Sequence, residues 1–275
     1  ERATIELHHL TGLGFRVIAL GHATLKKPLE SLEEISPRQR ITFDGFVAIA
    51  DTLRAEAKSA IATAQAAGIT VRMITGDHFE TAYHIGRELG LVHHRSEVFD
   101  SRQMSMMSDD DLAERLKTIR VCARVLPEYK HRILEILKQH DITAMTGDGV
   151  NDIPALTNAH VGVAMGSGAQ IAKDAGDIIL LDNNFQSIVS AIHEGRTVYA
   201  NIKRMVTYLL STNLGEVLVS LGSLIVGLPL PLTPVQILWI NIVTDSAMVI
   251  PIGMEPGEAR NMKQPPKPAN APLLS

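Results

Sequence analysis

The run MVTYLLSTNLGEVLVSLGSLIVG, residues 205–227, limits this chain more than any other feature. It has the length needed to cross a hydrocarbon layer about 30 Å thick, and it carries one charge, Glu216. After LPLP comes a second such run, Leu232 to Met254, whose only charge is Asp245. A buried helical pair in a soluble protein is the competing account, but the lengths and flanks favour a hairpin of two membrane-crossing helices. Lys203 and Arg204 precede the pair, and Arg260, Lys263 and Lys267 follow it. The positive-inside tendency then puts both ends in the cytoplasm, in an integral, multi-pass protein whose partner is the lipid bilayer.

Residues 1–200 read as soluble protein. Across all 275 residues the hydrophobic share is 45% and the aromatic share 4%, so the apolar content is aliphatic. A net charge of −4 gives no case for nucleic-acid binding. The single cysteine, Cys122, excludes an internal disulfide, and its setting, VCARV, suits a packed core thiol. ERATIELHHLTGLGF lacks a signal-like apolar core and an initiator Met, so the chain reads as a piece of something longer.

From Phe43 onward β-like and helical runs alternate. FVAIA, ITVRMIT, IRVCAR, ITAMT, VGVAM and DIILL are the strand candidates. Helices are expected at RAEAKSAIATAQAAG, stopped by Gly68, at 79–89, at 127–139 and at 151–158. This order implies an α/β fold, a parallel sheet covered on both faces with its chemistry at the carboxyl ends of the strands. From Phe185 the pattern is helical without a break, so one rod is expected to run from the soluble part into the first apolar span.

Two strand ends carry the sequence Thr-Gly-Asp: Thr75-Gly76-Asp77 and Thr146-Gly147-Asp148. Asp148, Asn151 and Asp152 crowd the second. Clustered carboxylates beside glycines suit a hard divalent cation held together with phosphate, and magnesium takes one or two carboxylates plus water and phosphate oxygens. Asp148 and Asp152 can supply the oxygens, Asn151 can donate to phosphate, and Lys130 can neutralise its charge. Thr75 adds a hydroxyl at the other strand end. These are the parts that phosphoryl transfer needs.

MTGDGVNDIPAL resembles the hinge and magnesium motif of the P-type ATPases, cation pumps built on a Rossmann-like, haloacid-dehalogenase-type phosphorylation domain. MITGDHFETAYHIGRELGL resembles that family's TGD segment (Thr75, Gly76, Asp77), and CARVLPEYKHRIL the segment with its phosphate-contacting lysine, here Lys130. ADTLR resembles the DPPR motif, keeping Asp51 and Arg54 but not the prolines, and Arg16 of GFRVIAL matches an ATP-contacting arginine. The resemblance implies Mg2+ and ATP as cofactors, with Asp148 on the metal, Asp152 supporting it, and Lys130, Thr75 and Asn151 on phosphate. It also implies a division into the tail of a nucleotide-binding domain (1–42), a phosphorylation domain (43–200), and a stalk with the fifth and sixth membrane helices and a cytoplasmic tail (201–275). No DKTGT, the phosphorylation motif, occurs in the chain. The resemblance places that strand between ITVRMIT and ITAMT, so an incomplete sheet is expected, and a chain inactive without the remainder of the pump polypeptide.

Within the spans, Asn213 and Glu216 lie three apart, and Asn241, Thr244 and Asp245 three and four apart, each set on one helical face. Ionisable groups in a membrane default to function, and two carboxylates with neutral oxygens favour a hard cation. NLGEV and ILWINIVTD resemble calcium pumps, whose ion ligands match Asn213, Glu216, Asn241, Thr244 and Asp245. The expectation is an ATP-driven pump with calcium as the transported ion. A pump for manganese, sodium, potassium or protons, or a truncated non-catalytic interaction protein, is the alternative.

Overall fold

The computed structural model describes residues 2–12, 15–24, 40–49, 53–268 and 271–274. The chain divides into two compact units, residues 1–62 with 71–183, and residues 63–70 with 184–275.

In the first unit, helix α1 (Arg2–Gly12) precedes strand β1 (Arg16–His22), which pairs antiparallel with β2 (Thr42–Ile49). FVAIA therefore does not enter a parallel sheet as its place in the alternation implied. Its partner is the strand before it, and the ladder runs from Arg16 opposite Ile49 to His22 opposite Thr42, with a shift of register between Leu20 and Gly21. Alternation marks a strand but does not say which way its neighbour runs.

The parallel strands form two separate sheets. The first has the order β3-β5-β4, from Met73–Ile74, Val121–Ala123 and Val98–Asp100. The second has the order β6-β7-β8, from Ala144–Gly147, Val161–Met165 and Ile178–Leu180. Strands β3 and β6 are both sheet edges and do not pair with each other. This is the incomplete haloacid-dehalogenase-like sheet expected from the sequence. Helices α3 (Phe79–Glu88), α4 (Asp109–Leu116) and α5 (Pro127–Lys138) belong to the first half. Helices α6 (Ile153–Asn158) and α7 (Gln170–Ala175) belong to the second. Met104, Leu112, Leu116, Ile119, Cys122 and Ile133, each at most 1% exposed, form the main core. Each such side chain contributes about 1.5–3 kcal/mol through burial.

The second unit is mostly helical. It takes the end of α2 (Ala57–Ala66), which stops at Gly68 with φ 76°, a left-handed value that glycine adopts without a Cβ clash. Helix α8 runs unbroken from Phe185 to Val226, 42 residues, or about 63 Å at 1.5 Å per residue. Asn184 caps its start by accepting from the Gln186 N–H at 2.9 Å. After a turn come α9 (Pro234–Trp239), a π-helical segment (Ile240–Asp245) and α10 (Ser246–Gly253). Both Phe185–Val226 and Pro234–Gly253 are long and apolar enough to cross a membrane.

Candidate functional site

Strand β6 delivers Asp148 to a tightly tied loop. The chain turns through a single 3-10 turn, Val150–Asp152, so that Asp152 folds back under the strand end. Its Oδ2 accepts from the N–H groups of Asp148 at 3.3 Å and Gly149 at 3.2 Å. Its Oδ1 accepts from Lys130 Nζ at 2.7 Å. The side chains of Lys130 and Asp152 are 18% and 10% exposed, so the pair is largely shielded from water. Lys130 reaches it from the first turn of α5, which Pro127 starts. Gly147 is obligatory here, because a Cβ on it would lie 2.5 Å from Asp152 Cβ. The Asp148 carbonyl accepts from the Ala169 N–H at 2.9 Å, fixing the backbone from the other side. The Asp148 carboxylate is exposed and makes no hydrogen bond or ion pair among the described residues. Asn151 is exposed as well.

At the end of β3, Thr75 Oγ1 donates to Asp77 Oδ2 at 2.7 Å and accepts from the Asp77 N–H at 3.1 Å. The turn through Gly76 is fastened to the exit of β5. Thr75 N–H donates to Cys122 O, Val125 N–H to Thr75 O and Arg124 N–H to Asp77 O, each at 2.9 Å. Arg124 makes this possible with a left-handed φ of 55°, a conformation uncommon outside glycine. The Ser101 hydroxyl donates to its carbonyl, and its guanidinium lies 3.9 Å from Asp100. Two hydrogen-bonding groups of Arg102, its side chain and then its main chain, hold the Asp100 carboxyl below the usual carboxylate range. Burial, and next the charge of Arg124, push the His78 imidazole below its ordinary value. Reasoning from the sequence missed Arg124. Its one signal was a basic residue placed where the strand VCA ends.

The structure thus joins Lys130 to Asp152 and Asp152 to the Asp148 loop, and joins Thr75 to Asp77. No hydrogen bond links the two groups among the described residues. Arg54 is exposed, and its carbonyl accepts from Ala57 N–H at 3.0 Å just before α2. Asp51 and the side chain of Arg16 lie outside the described residues.

In the second unit, Asp245 is 3% exposed inside the apolar hairpin. Thr212 Oγ1 donates to Asp245 Oδ2 and Asn241 Nδ2 to Glu216 Oε2, both at a long 3.4 Å. Among the described residues, Glu216 Oε1 and Asp245 Oδ1 are buried with no hydrogen-bond partner. Asn213 and Thr244, expected on the same faces, are exposed and carry no polar contact among the described residues. Helical geometry accounts for both. On α8, Thr212 is about 40° from Glu216 and Asn213 about 60° the other way. On the second helix, the π segment bonds i to i+5 and widens the turn, which keeps Asn241 and Asp245 together and rotates Thr244 aside.

Residues 7–160 match the family model described as haloacid dehalogenase-like hydrolase, a second model of that description matches residues 131–192, and residues 229–275 match "Cation transporting ATPase, C-terminus". The chain is 41% identical over 266 residues to the "Calcium-transporting ATPase" of Bacillus subtilis, covering 95% of this chain and 29% of that protein. It is 41% identical over 283 residues to the "Probable cation-transporting ATPase F" of Mycobacterium tuberculosis, covering 100% of this chain and 31% of that one. The crystal structure of a zinc-transporting PIB-type ATPase in the E2.Pi state superposes with a TM-score of 0.60 at 25% identity, over 94% of this chain and 33% of that chain. The chain belongs to the haloacid dehalogenase-like hydrolases, and the relatives it matches are named as cation-transporting ATPases. It spans about a third of the length of the relatives it matches.

The loop that carries Asp148 fits a magnesium ion on the chemistry of its donors. One exposed carboxylate without a partner, Asp148, stands at a strand end on a backbone held from both sides, and magnesium needs few protein oxygens when phosphate and water supply the rest. Asp152 has both oxygens engaged, which fits it to shaping the loop rather than donating to the metal.

Proposed function

We propose that this chain is the C-terminal-half portion of an ATP-driven pump that couples formation and hydrolysis of an aspartyl phosphate to cation transport, with calcium as the ion. Residues 1–42 then close a nucleotide-binding domain, 43–200 form the phosphorylation domain, and 201–275 supply the stalk, the fifth and sixth membrane helices and a cytoplasmic tail. The observation that carries the reading is the pair of buried carboxylate oxygens without partners, Glu216 Oε1 and Asp245 Oδ1, in an apolar hairpin. Unpaired carboxylate oxygens are costly to bury, and a cation passing between the helices would offset that cost. Two carboxylates with the amide of Asn241 and the hydroxyl of Thr212 offer the oxygen-only donor set that a hard cation prefers.

The acceptor aspartate belongs to a part of the pump outside these residues. Bound magnesium would neutralise charge on the transferred phosphoryl group, held there by Asp148. Lys130 stands beside the same loop and supplies a second positive charge, while Asp152 keeps both in register. The Thr75 hydroxyl, which donates to Asp77 in this structure, would turn to phosphate when phosphate is bound. ATP contacts are assigned to Arg16, Asp51 and Arg54, with Thr75, Gly76, Asp77 and Lys130 at the phosphate end. The continuous helix α8 would carry the change to Glu216 and Asp245.

The test is transport by the full-length protein in sealed vesicles, with calcium, manganese, sodium, potassium and proton gradients compared. ATP-dependent calcium uptake that is lost in Glu216→Gln and Asp245→Asn supports the reading. Uptake of another ion only would replace calcium, and activity of both variants equal to wild type with every cation would remove the site.

A further inference from the structure

Strand β4 runs parallel to β5, with Val98 beside Val121, Phe99 beside Cys122 and Asp100 beside Ala123. One step further in the same register, the chain leaves the two strands at Ser101 and Arg124. Ser101 is 1% exposed, and no step of the proposed reaction uses it. A hydroxyl is costly to bury unless it is bonded. This one donates to the Arg124 carbonyl.

The peptide between Arg124 and Val125 is thereby held at both ends. Its oxygen accepts from Ser101, and its N–H donates to Thr75 O at 2.9 Å. On the other side of the same residue, the Arg124 N–H donates to Asp77 O, also at 2.9 Å. Arg124 makes these bonds from the left-handed region, at φ 55°, where a Cβ crowds the carbonyl that follows it. Such a conformation persists only when its surroundings hold it. The side chain of Arg124 supplies little of that hold. Its guanidinium lies 3.9 Å from Asp100, whose carboxylate Arg102 already engages at 2.9 and 2.6 Å. Among the described residues, Ser101 is the one side chain that bonds to the Arg124 backbone.

We propose that Ser101 is a positioning residue for phosphoryl transfer, setting the Thr75–Asp77 turn through the Arg124 peptide. The inference rests on the reading of that turn as the phosphate end of an ATP-driven pump. Without the hydroxyl, the Arg124 carbonyl loses its partner and the residue can relax toward an ordinary negative φ. That movement withdraws the Arg124 N–H from Asp77 and the Val125 N–H from Thr75. The Thr75 hydroxyl then sits away from the position in which it meets phosphate. A misplacement of about 1 Å can cost roughly 100-fold in rate. The loss here is smaller, because Thr75 N–H keeps its bond to Cys122 O at 2.9 Å.

The experiment phosphorylates the full-length protein with radiolabelled ATP in a rapid-quench apparatus. At saturating ATP and magnesium, Ser101→Ala should slow phosphoenzyme formation about tenfold, the effect of one carbonyl left unbonded. The ATP concentration for half-maximal rate should stay the same. Arg124→Gly supplies the second background, since glycine takes φ 55° without a Cβ clash. There, adding Ser101→Ala should slow the reaction by about twofold at most. An equal loss in both backgrounds would make Ser101 a packed core residue only and overturn the proposal. Wild-type rates in Ser101→Ala would overturn it too. Hydrogen exchange in peptides covering 74–78 and 121–126 should quicken in Ser101→Ala, and unchanged exchange there would equally overturn it. A wild type that forms no phosphoenzyme from ATP would instead end the pump reading, and the proposal with it.

Discussion

Lys130 on α5 donates to Asp152 beyond β6 at 2.7 Å, tying a helix of the first parallel sheet to the carboxylate that shapes the Asp148 loop. Removing either partner leaves a charge largely shielded from water. Asp152→Ala should therefore cost about 2–4 kcal/mol, between the exposed and fully buried cases, and should lower the denaturation midpoint along with phosphorylation by ATP. Asp148→Asn should behave differently. Its carboxylate makes no hydrogen bond or ion pair among the described residues, so the midpoint should hold while magnesium-dependent phosphoenzyme disappears. Normal phosphoenzyme in Asp148→Asn would take this residue off the metal.

Gly147→Ala tests the same loop without changing a charge. The new methyl would meet Asp152 Cβ at 2.5 Å and Cγ at 2.9 Å, and both belong to a side chain held at each oxygen. Relief requires moving Asp152 and with it Asp148, at about 1–3 kcal/mol of overpacking. The expected outcome is a weaker magnesium activation, measured as a several-fold higher magnesium requirement for phosphoenzyme formation. An unchanged requirement would mean that the loop yields easily.

Cys122 provides a pH test of the core. Burial pushes its thiol from 9.0 up to about 12, with the nearby Arg72 charge opposing the rise. The native state keeps a proton that the unfolded chain releases, so this contribution is complete below about pH 9 and is lost as pH climbs toward about 12. Alkylation of the Cys122 peptide at pH 8 should be slow in the folded protein and rapid in denaturant. Equal rates would show that the β5 core opens freely.

Much of this architecture was legible because it depends on periodicity. VGVAM became β7, 79–89 became α3, and the unbroken pattern after Phe185 became one 42-residue helix. Strand β4, Val98–Asp100, and helix α4 were hidden in a polar stretch, the strand too short for alternation to register and the helix holding only two buried side chains, Leu112 and Leu116. Asp148, Asp152 and Lys130 were legible as candidates from their spacing, but which carboxylate stays free depends on the back-folded turn. Nothing in residue type announces a π segment, so the sequence could not separate Thr244 from Asn241.

That separation gives a graded prediction for the ion site. Thr212 bonds to Asp245 and Asn241 to Glu216, while Asn213 and Thr244 face outward in this unit. Thr212→Ala and Asn241→Ala should raise the cation concentration for half-maximal ATPase activation in the full-length protein by several-fold, corresponding to about 1 kcal/mol. Asn213→Ala and Thr244→Ala should do less. The reverse order would mean that helices outside this chain turn those two side chains into the site.

The two parallel sheets lead to the last expectation. Strands β3 and β6 each end a sheet, so the outer N–H and C=O groups of Met73–Ile74 and Ala144–Gly147 have no neighbouring strand among the described residues. Parallel sheets are ordinarily closed on both faces, and an open edge is a template for pairing with another chain. A strand lying between them would need a gap of about two spacings, ~9–10 Å. Expressed alone, residues 1–275 should therefore associate through these edges and neither hydrolyse ATP nor accept phosphate. On the proposed pump reading, adding in trans a segment that carries a DKTGT strand should reduce the association. Light scattering of the segment with and without that partner measures it, and a monodisperse, ATP-hydrolysing preparation of the segment alone would refute it.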